Sequence, residues 1–475
     1  MCGFVGIVGV EPVAPNLALG LSAIQHRGQD AAGIAVYSDG YVKVHKDLGM
    51  VSKVLPRHII ENMRGTSGVG HVRYPTLGGS TRADAQPFMT RRPSIGLCHN
   101  GNITNLQELE AGLVERGIRM MSQCDSEPIL LVLGDELLRI RVVDYTTEDL
   151  VEALEQVLAR LRGSYSVAAV MDVDGRESLV AFRDPMGIRP AVYGRRADGA
   201  WMVASESVSL DVLDFEFVDH VPPGGLVIMR KGEEPVIRSV APLPLKHCIF
   251  EDIYFARPDS RMEGGRILTR RRAFGQALAQ QWTAKGLHAD VVVPVPDTSR
   301  PAAQAMAEEL GVPNREGFIK NRYSGRTFIM PDQASREAAM RLKLNPIDEI
   351  FRDKRVVLVD DSIVRGTTMR RIVQMCRRHE PAELHVAIYS PPVRNPCYYG
   401  IDMPSREELV AGDVPAEEVE LRLAERFGAD SVTFLDLQRL AQVGGKSVCD
   451  ACFTGRYPIP LNEDERAFII QQRRA

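Results

Sequence analysis

Short runs in which apolar and small residues alternate recur through the first half of the chain: GFVGIVGV, AAGIAVYS, VKVHK, SGVGHV, SIGLCHNG, YSVAAVMDV, SLVAFRD and AVYGRR. Gly and Asn turns break them up, and this pattern predicts many short strands. Two segments between them, ITNLQELEAGLVERG and SEPILLVLGDELLRI, carry apolar residues at helical spacing instead. Strands in series, interrupted by helices, predict an α+β layered domain with mainly antiparallel sheets. The rhythm changes near residue 240, where the proline-containing VAPLPLKHCIFEDIYFARPDS follows. Beyond it, almost wholly apolar runs alternate with helices: DVVVPVPDTSR with PAAQAMAEELG, then RVVLVDDSIVRG with TTMRRIVQMCRRH, then LHVAIYS. Such strands are buried on both faces, which predicts a parallel sheet covered by helices. The expected domains are 1–240 and 241–475, the second ending in a cysteine-containing extension.

Composition narrows the function without naming it. The chain has 475 residues, 44% of them hydrophobic and 25% charged, with a formal net charge of −4. No basic block or acidic tail occurs, so nucleic acid and anionic membranes are not expected partners. No apolar run approaches the roughly 18 residues of a spanning helix. No Lys or Arg precedes the first apolar stretch, so a secretion signal is not expected and a cytoplasmic location is. Eight cysteines in so long a chain do not make a disulfide framework, and their clustering late in the chain points to metal ligation.

The stretch RVVLVDDSIVRGTTMRR holds the most specific chemistry. A buried strand ends in Asp360 and Asp361, a turn with Gly366 follows, and a helix is expected to start near Thr367 or Thr368. Strand ends of parallel sheets bind ligands, and a helix N-terminus offers free N–H groups to a phosphate. Two adjacent carboxylates there can hold ribose hydroxyls or hydrated Mg²⁺. The spacing is not that of a Walker A loop. VVLVDDSIVRGTT resembles the phosphoribosyl pyrophosphate (PRPP) motif of type I phosphoribosyltransferases. The resemblance implies that the two acids hold the ribose hydroxyls and that Ser362, Arg365, Gly366, Thr367 and Thr368 cradle the 5′-phosphate. PVPDTSRPAA is similar to the family's pyrophosphate loop, which sets Thr298 close to the metal with Asp360 and Asp361. IKNRYSGRTFI resembles the flexible loop that closes over PRPP, implying Lys320, Arg322, Tyr323 and Arg326 around the leaving pyrophosphate.

Four segments of the first half, with CDSEPI beside them, resemble the class II glutamine amidotransferase domain: CGFVGIVG, HRGQDAAGIAV, GHVRYPTLG and LCHNGNITN. That domain is an N-terminal-nucleophile hydrolase, which implies an αββα sandwich here. Removal of Met1 would leave Cys2 with a free α-amine, whose pKa of about 7.7–8.0 suits it to act as base toward its own thiol. By the resemblance, the Asn100 side chain and the Gly101 N–H form the oxyanion hole, each donor worth roughly 3–4 kcal/mol. Arg73 and Asp125 would bind the α-carboxylate and α-ammonium of glutamine, with Arg27 and Gly28 shaping the pocket. Read alone, Asn100-Gly101 is also a common hairpin turn, and Asp125 a helix cap. Cys124 stands where relatives often have Ser.

A glutaminase joined to a PRPP transferase implies one reaction, and the whole chain is similar to the glutamine PRPP amidotransferase family. The resemblance implies ammonia passing to C1 of PRPP with loss of pyrophosphate, along a route lined by IFEDIYFARPDS and Tyr254. One CxxC, Cys449 and Cys452, with two distant cysteines, Cys248 and Cys397, fits zinc as well as iron–sulfur. These positions match the family branch that carries a structural [4Fe–4S] cluster. Cys98 and Cys376 read as core. The family further implies purine nucleotides as feedback inhibitors and a homotetramer or homodimer. A PRPP-sensing regulator would instead require a DNA-binding element, and other class II amidotransferases would lack VVLVDDSIVRGTT.

Overall fold

In the first strand, Gly3–Val8, Val5 and Ile7 point to one face while Phe4 and Val8 point to the other, as the pleat dictates. The computed structural model describes residues 2–75, 79, 81–320 and 344–474. Gly3–Val8 lies at the centre of a seven-stranded antiparallel sheet, between Trp201–Ala204 and Ser67–Arg73. A second antiparallel sheet of six strands has Ser94–Ile103 paired with Gly163–Val173. The facing sides of the two sheets meet through Phe4, Val8 and Val69 on one and Cys98, Ala168 and Leu179 on the other. Helix Val13–Ala23 covers the outer face of the first sheet with Leu17 and Leu21. Helices Leu106–Glu115, Ser126–Ile140 and Thr147–Arg160 cover the outer face of the second. The layers are helix, sheet, sheet, helix, as expected.

Two local expectations change. The helix anticipated from Ile103 begins at Leu106, because Ile103 ends the strand and pairs with Gly163. Helix Val13–Ala23 was not anticipated, since Pro15, Asn16 and Gly20 blur its period. Pro15 is tolerated because it falls in the first turn.

The second half is built on four parallel strands in chain order: Val291–Pro294, Arg355–Asp360, Glu383–Ile388 and Ser431–Phe434. Helices Ile267–Ala284 and Arg300–Leu310 bury Phe274, Leu278 and Met306 against Val292 and Val357 on one face. Helices Thr367–Arg377 and Val419–Phe427 bury Ile372, Val373 and Leu423 against Val356 and Leu358 on the other. All four strands therefore point their carboxyl ends to one edge. Between the halves, His247–Cys248 pairs with Val448–Cys449, and a π-helical turn, Glu251–Phe255, follows. Among the described residues no helix is long and apolar enough to cross a membrane.

Candidate active sites

Cys2 precedes the central strand, and Arg73 ends the neighbouring one, whose Val72 lies opposite Gly3. The second sheet supplies Asn100 and Gly101 on Ser94–Ile103. A small cavity at this corner is lined by Cys2, Arg73, Gln86, His99, Gly101 and Asp125. The Cys2 thiol is partly exposed and donates to the Tyr74 carbonyl at 3.4 Å. Asn100 is 1% exposed, and among the described residues its Nδ2 has no hydrogen-bond partner. A buried amide donor without an acceptor costs about 1–3 kcal/mol, so it is poised for a ligand oxygen. Because the strand runs on to Ile103, Asn100-Gly101 is not a hairpin turn.

Arg73 is buried and donates to the Gly79 carbonyl at 2.7 Å. Burial opposes its charge, but Cys124, Cys2, Asp84 and Asp125 around it outweigh that and raise its pKa. Asp125 makes no side-chain cap of the helix it precedes. Its carboxylate instead accepts the Ile103 N–H at 3.0 Å, which ties it to the strand that carries Asn100 and Gly101. Cys124 is buried beside it. Burial pushes its thiol up to about 11, with Arg73 opposing. Gly28 lies against the strand end itself, for a Cβ there would come 2.6 Å from the backbone carbons of Val72 and Arg73. Arg27 reaches elsewhere: its guanidinium pairs with Glu206 and, at 2.7 Å, with Glu251. Gln86 and His99 were not anticipated. Gln86 Oε1 accepts the His99 N–H at 2.7 Å, a contact between segments that no spacing announces.

The second cluster of site residues lies at the carboxyl edge of the parallel sheet. Val295 N donates to Val359 O at 2.9 Å, which sets the loop holding Thr298 beside the one that starts at Asp360. Asp361 accepts from the Ser362 hydroxyl at 2.7 Å, and Asp360 accepts the Asp361 N–H at 2.9 Å. Burial, and then the Asp361 charge, push the Asp360 carboxyl well up. Burial pushes Asp361 to about 6, with Ser362 and Arg271 opposing. Gly366 stands just ahead of helix Thr367–Arg377, so the first N–H groups of that helix, at Thr367 and Thr368, face the turn. Arg365 lies 3.4 Å from Glu408 on the surface. Lys320 pairs with Asp297, next to Thr298, at 2.5 Å. Arg322, Tyr323 and Arg326 lie outside the described residues.

A cavity of about 500 Å³ separates the two clusters, with His26, Arg27 and Tyr74 on one side and Arg271, Asp297 and Thr298 on the other. Tyr254, 44% exposed, lines it together with Phe255. A further cavity is bordered by Cys248, Cys397, Cys449 and Cys452, all buried, with apolar walls from Ile188, Phe250 and Met403. Cys98 is packed between the two antiparallel sheets, and Cys376 lies under the parallel sheet.

Comparison with known proteins bears on both halves. The glutamine amidotransferase domain model matches residues 72–212, and the phosphoribosyl transferase domain model matches residues 269–399. An amidophosphoribosyltransferase of Methanocaldococcus jannaschii is 40% identical, with 97% of this chain and 98% of that one covered. One from Pseudomonas aeruginosa is 44% identical, over 96% and 93%. The chain belongs to the amidophosphoribosyltransferase family. Among solved structures, the glutamine PRPP amidotransferase of B. subtilis, complexed with ADP and GMP, superposes with a TM-score of 0.86 at 36% identity, covering 98% of each chain. As an amidophosphoribosyltransferase, the protein is an enzyme of purine biosynthesis that carries out glutamine-dependent amination of PRPP.

Proposed function

We propose that glutamine is hydrolysed at Cys2 and that the ammonia crosses the 500 Å³ cavity to PRPP bound at Asp360–Thr368. The observation that carries this reading is that one cavity has Tyr74, the acceptor of the Cys2 thiol, on one wall and Thr298 on the other. Once Met1 is removed, the Cys2 α-amine takes the thiol proton, and the sulfur attacks the glutamine amide. Asn100 Nδ2 and the Gly101 N–H receive the oxyanion, while Arg73 and Asp125 hold the two charges of the amino-acid end. Arg27 and Gly28 act from behind, Gly28 by admitting the strand end that carries Arg73. At the second site the helix N-terminus at Thr367 and Thr368 holds the 5′-phosphate, with Ser362 and Arg365 beside it. Ammonia attacks C1 as pyrophosphate leaves toward Lys320, giving 5-phosphoribosylamine.

Two further groups fit the residues present. Thr298, Asp360 and Asp361 are the hard oxygen donors that would hold Mg²⁺, whose charge neutralises the departing pyrophosphate. The four buried thiols border one apolar cavity. Zinc would draw four sulfurs to about 2.3 Å. Four thiolates are equally the ligand set of a structural [4Fe–4S] cluster, and that is the group proposed for this cavity. Purine nucleotides are the proposed inhibitors, the assembly a homotetramer or homodimer, the location cytoplasmic, and the division of domains 1–240 and 241–475.

The test is anaerobic purification with activity measured on wild type and Cys2→Ala. The variant is expected to lose glutamine-dependent activity and to keep ammonia-dependent amination of PRPP. Retained glutamine-dependent activity would overturn the nucleophile. The wild type is expected to be brown and to contain iron. A colourless, iron-free and fully active enzyme would remove the cluster from the proposal.

A further inference from the structure

The segment that follows Cys397 closes on the back of the oxyanion strand through three buried contacts. Asn102 Nδ2 donates to the Tyr398 carbonyl at 2.9 Å, and the Ser164 hydroxyl donates to the Tyr399 carbonyl at 2.8 Å. Beyond them Gly400 comes so near Gly101 that a Cβ on it would stand 2.9 Å from both the carbonyl carbon and the oxygen of Gly101. Gly400 also has φ of +91°, a conformation that side chains disfavour. On its other side Gly101 is equally confined, for a Cβ there would meet the Ser164 carbonyl at 2.0 Å. Gly101 is thus gripped between the neighbouring strand and a segment from the other half of the chain.

We infer that Gly400 is a positioning residue for glutamine hydrolysis, fixing Gly101 at the distance its N–H needs to meet the developing oxyanion. This rests on the proposed assignment of Asn100 and Gly101 as oxyanion donors. Such donors act because they are held in place before the charge develops, and they are aimed at the oxyanion rather than at the ground-state carbonyl. Displacement of Gly101 therefore slows the chemical step while leaving the grip of Arg73 and Asp125 on the amino-acid end. Its signature is a fall in kcat without a matching rise in KM. The PRPP site lies across the large cavity and keeps its geometry.

Gly400→Ala in the full-length holoenzyme tests this. A Cβ at 2.9 Å forces a shift of a few tenths of an ångström, and misplacements of about 1 Å can cost a hundredfold. The expected result is a fall of about tenfold in kcat for glutamine. KM for glutamine, ammonia-dependent amination and iron content should stay within about twofold of wild type. An unchanged kcat overturns the inference, and so does a parallel fall in the ammonia-dependent reaction. Ser164→Ala removes the Tyr399 contact without adding bulk and decides the matter should Gly400→Ala fail to fold. A several-fold fall in kcat at constant KM supports the grip, and wild-type kcat overturns it. Failure of the underlying reading is distinguishable, because Asn100→Ala would then keep the wild-type kcat for glutamine.

Discussion

Asn100 and Asn102 lie two apart on one strand, and their amides have different fates. Asn102 gives its Nδ2 to the Tyr398 carbonyl, whereas Asn100 Nδ2 has no acceptor among the described residues. A donor that cannot rest on the protein is a donor for substrate. Asn100→Ala should therefore lower kcat for glutamine hydrolysis by about 10²–10³. It should leave ammonia-dependent amination intact, and steady-state assays with the two nitrogen sources check both. The residue types of this site were legible in the sequence because HNG, VRYP and CDSE are distinctive strings. What could not be read was which side chains the fold leaves unsatisfied. Gln86 borders the same cavity with no string to mark it.

At the scale of elements, the apolar runs became strands almost where the pattern put them, since a period of two leaves little choice of face. The spacing between elements was not readable, and helix Ile267–Ala284 illustrates why. Its Gly275 is buried against helix Arg300–Leu310, where a Cβ would stand 2.1 Å from the Ala302 carbonyl oxygen. Propensity alone favours alanine in a helix by about 1 kcal/mol. Overpacking at such contacts costs about 1–3 kcal/mol, and at 2.1 Å from backbone the clash wins. Gly275→Ala is expected to lower the Tm by several degrees in thermal unfolding of the holoenzyme, against the propensity scale. A raised Tm would show that the helices part without cost.

Across the whole molecule the two halves are joined by buried charge rather than by apolar surface alone. Glu206 accepts from Arg27 and from the Ser260 hydroxyl at 2.7 Å, pairs with His26 at 2.7 Å, and accepts the Arg257 N–H at 2.9 Å. Glu251 bridges Arg27 and, at 2.9 Å, Arg189. Burial would raise the Glu206 pKa, but Arg27, His26 and the Arg257 N–H outweigh it and hold the carboxyl well below its ordinary 4.5. A depressed carboxyl stabilises the fold above its unfolded pKa, and that stability drains away as pH falls below it. Wild type should therefore lose stability steeply below pH about 4.5. Glu206→Gln should be less stable at pH 7 by about 3–5 kcal/mol, because Arg27 loses one of its two carboxylates. Its stability should also vary less with pH between about 5 and 3. Denaturant unfolding at the two ends of that range measures both effects.

The sequence by itself determined the family of each half, because strings such as CGFVGIVG and VVLVDDSIVRGTT are local patterns. It also determined most of the strands and the α+β and parallel-sheet character of the two halves, which follow from the period of apolar positions. Only the tertiary structure decided what joins the halves. The cavity between the sites, the Glu206–Arg27–Glu251 seam and the contact of Gly400 with Gly101 unite residues about 180 to 300 apart in the chain. Such contacts depend on distances set by packing, and packing leaves no period in the sequence.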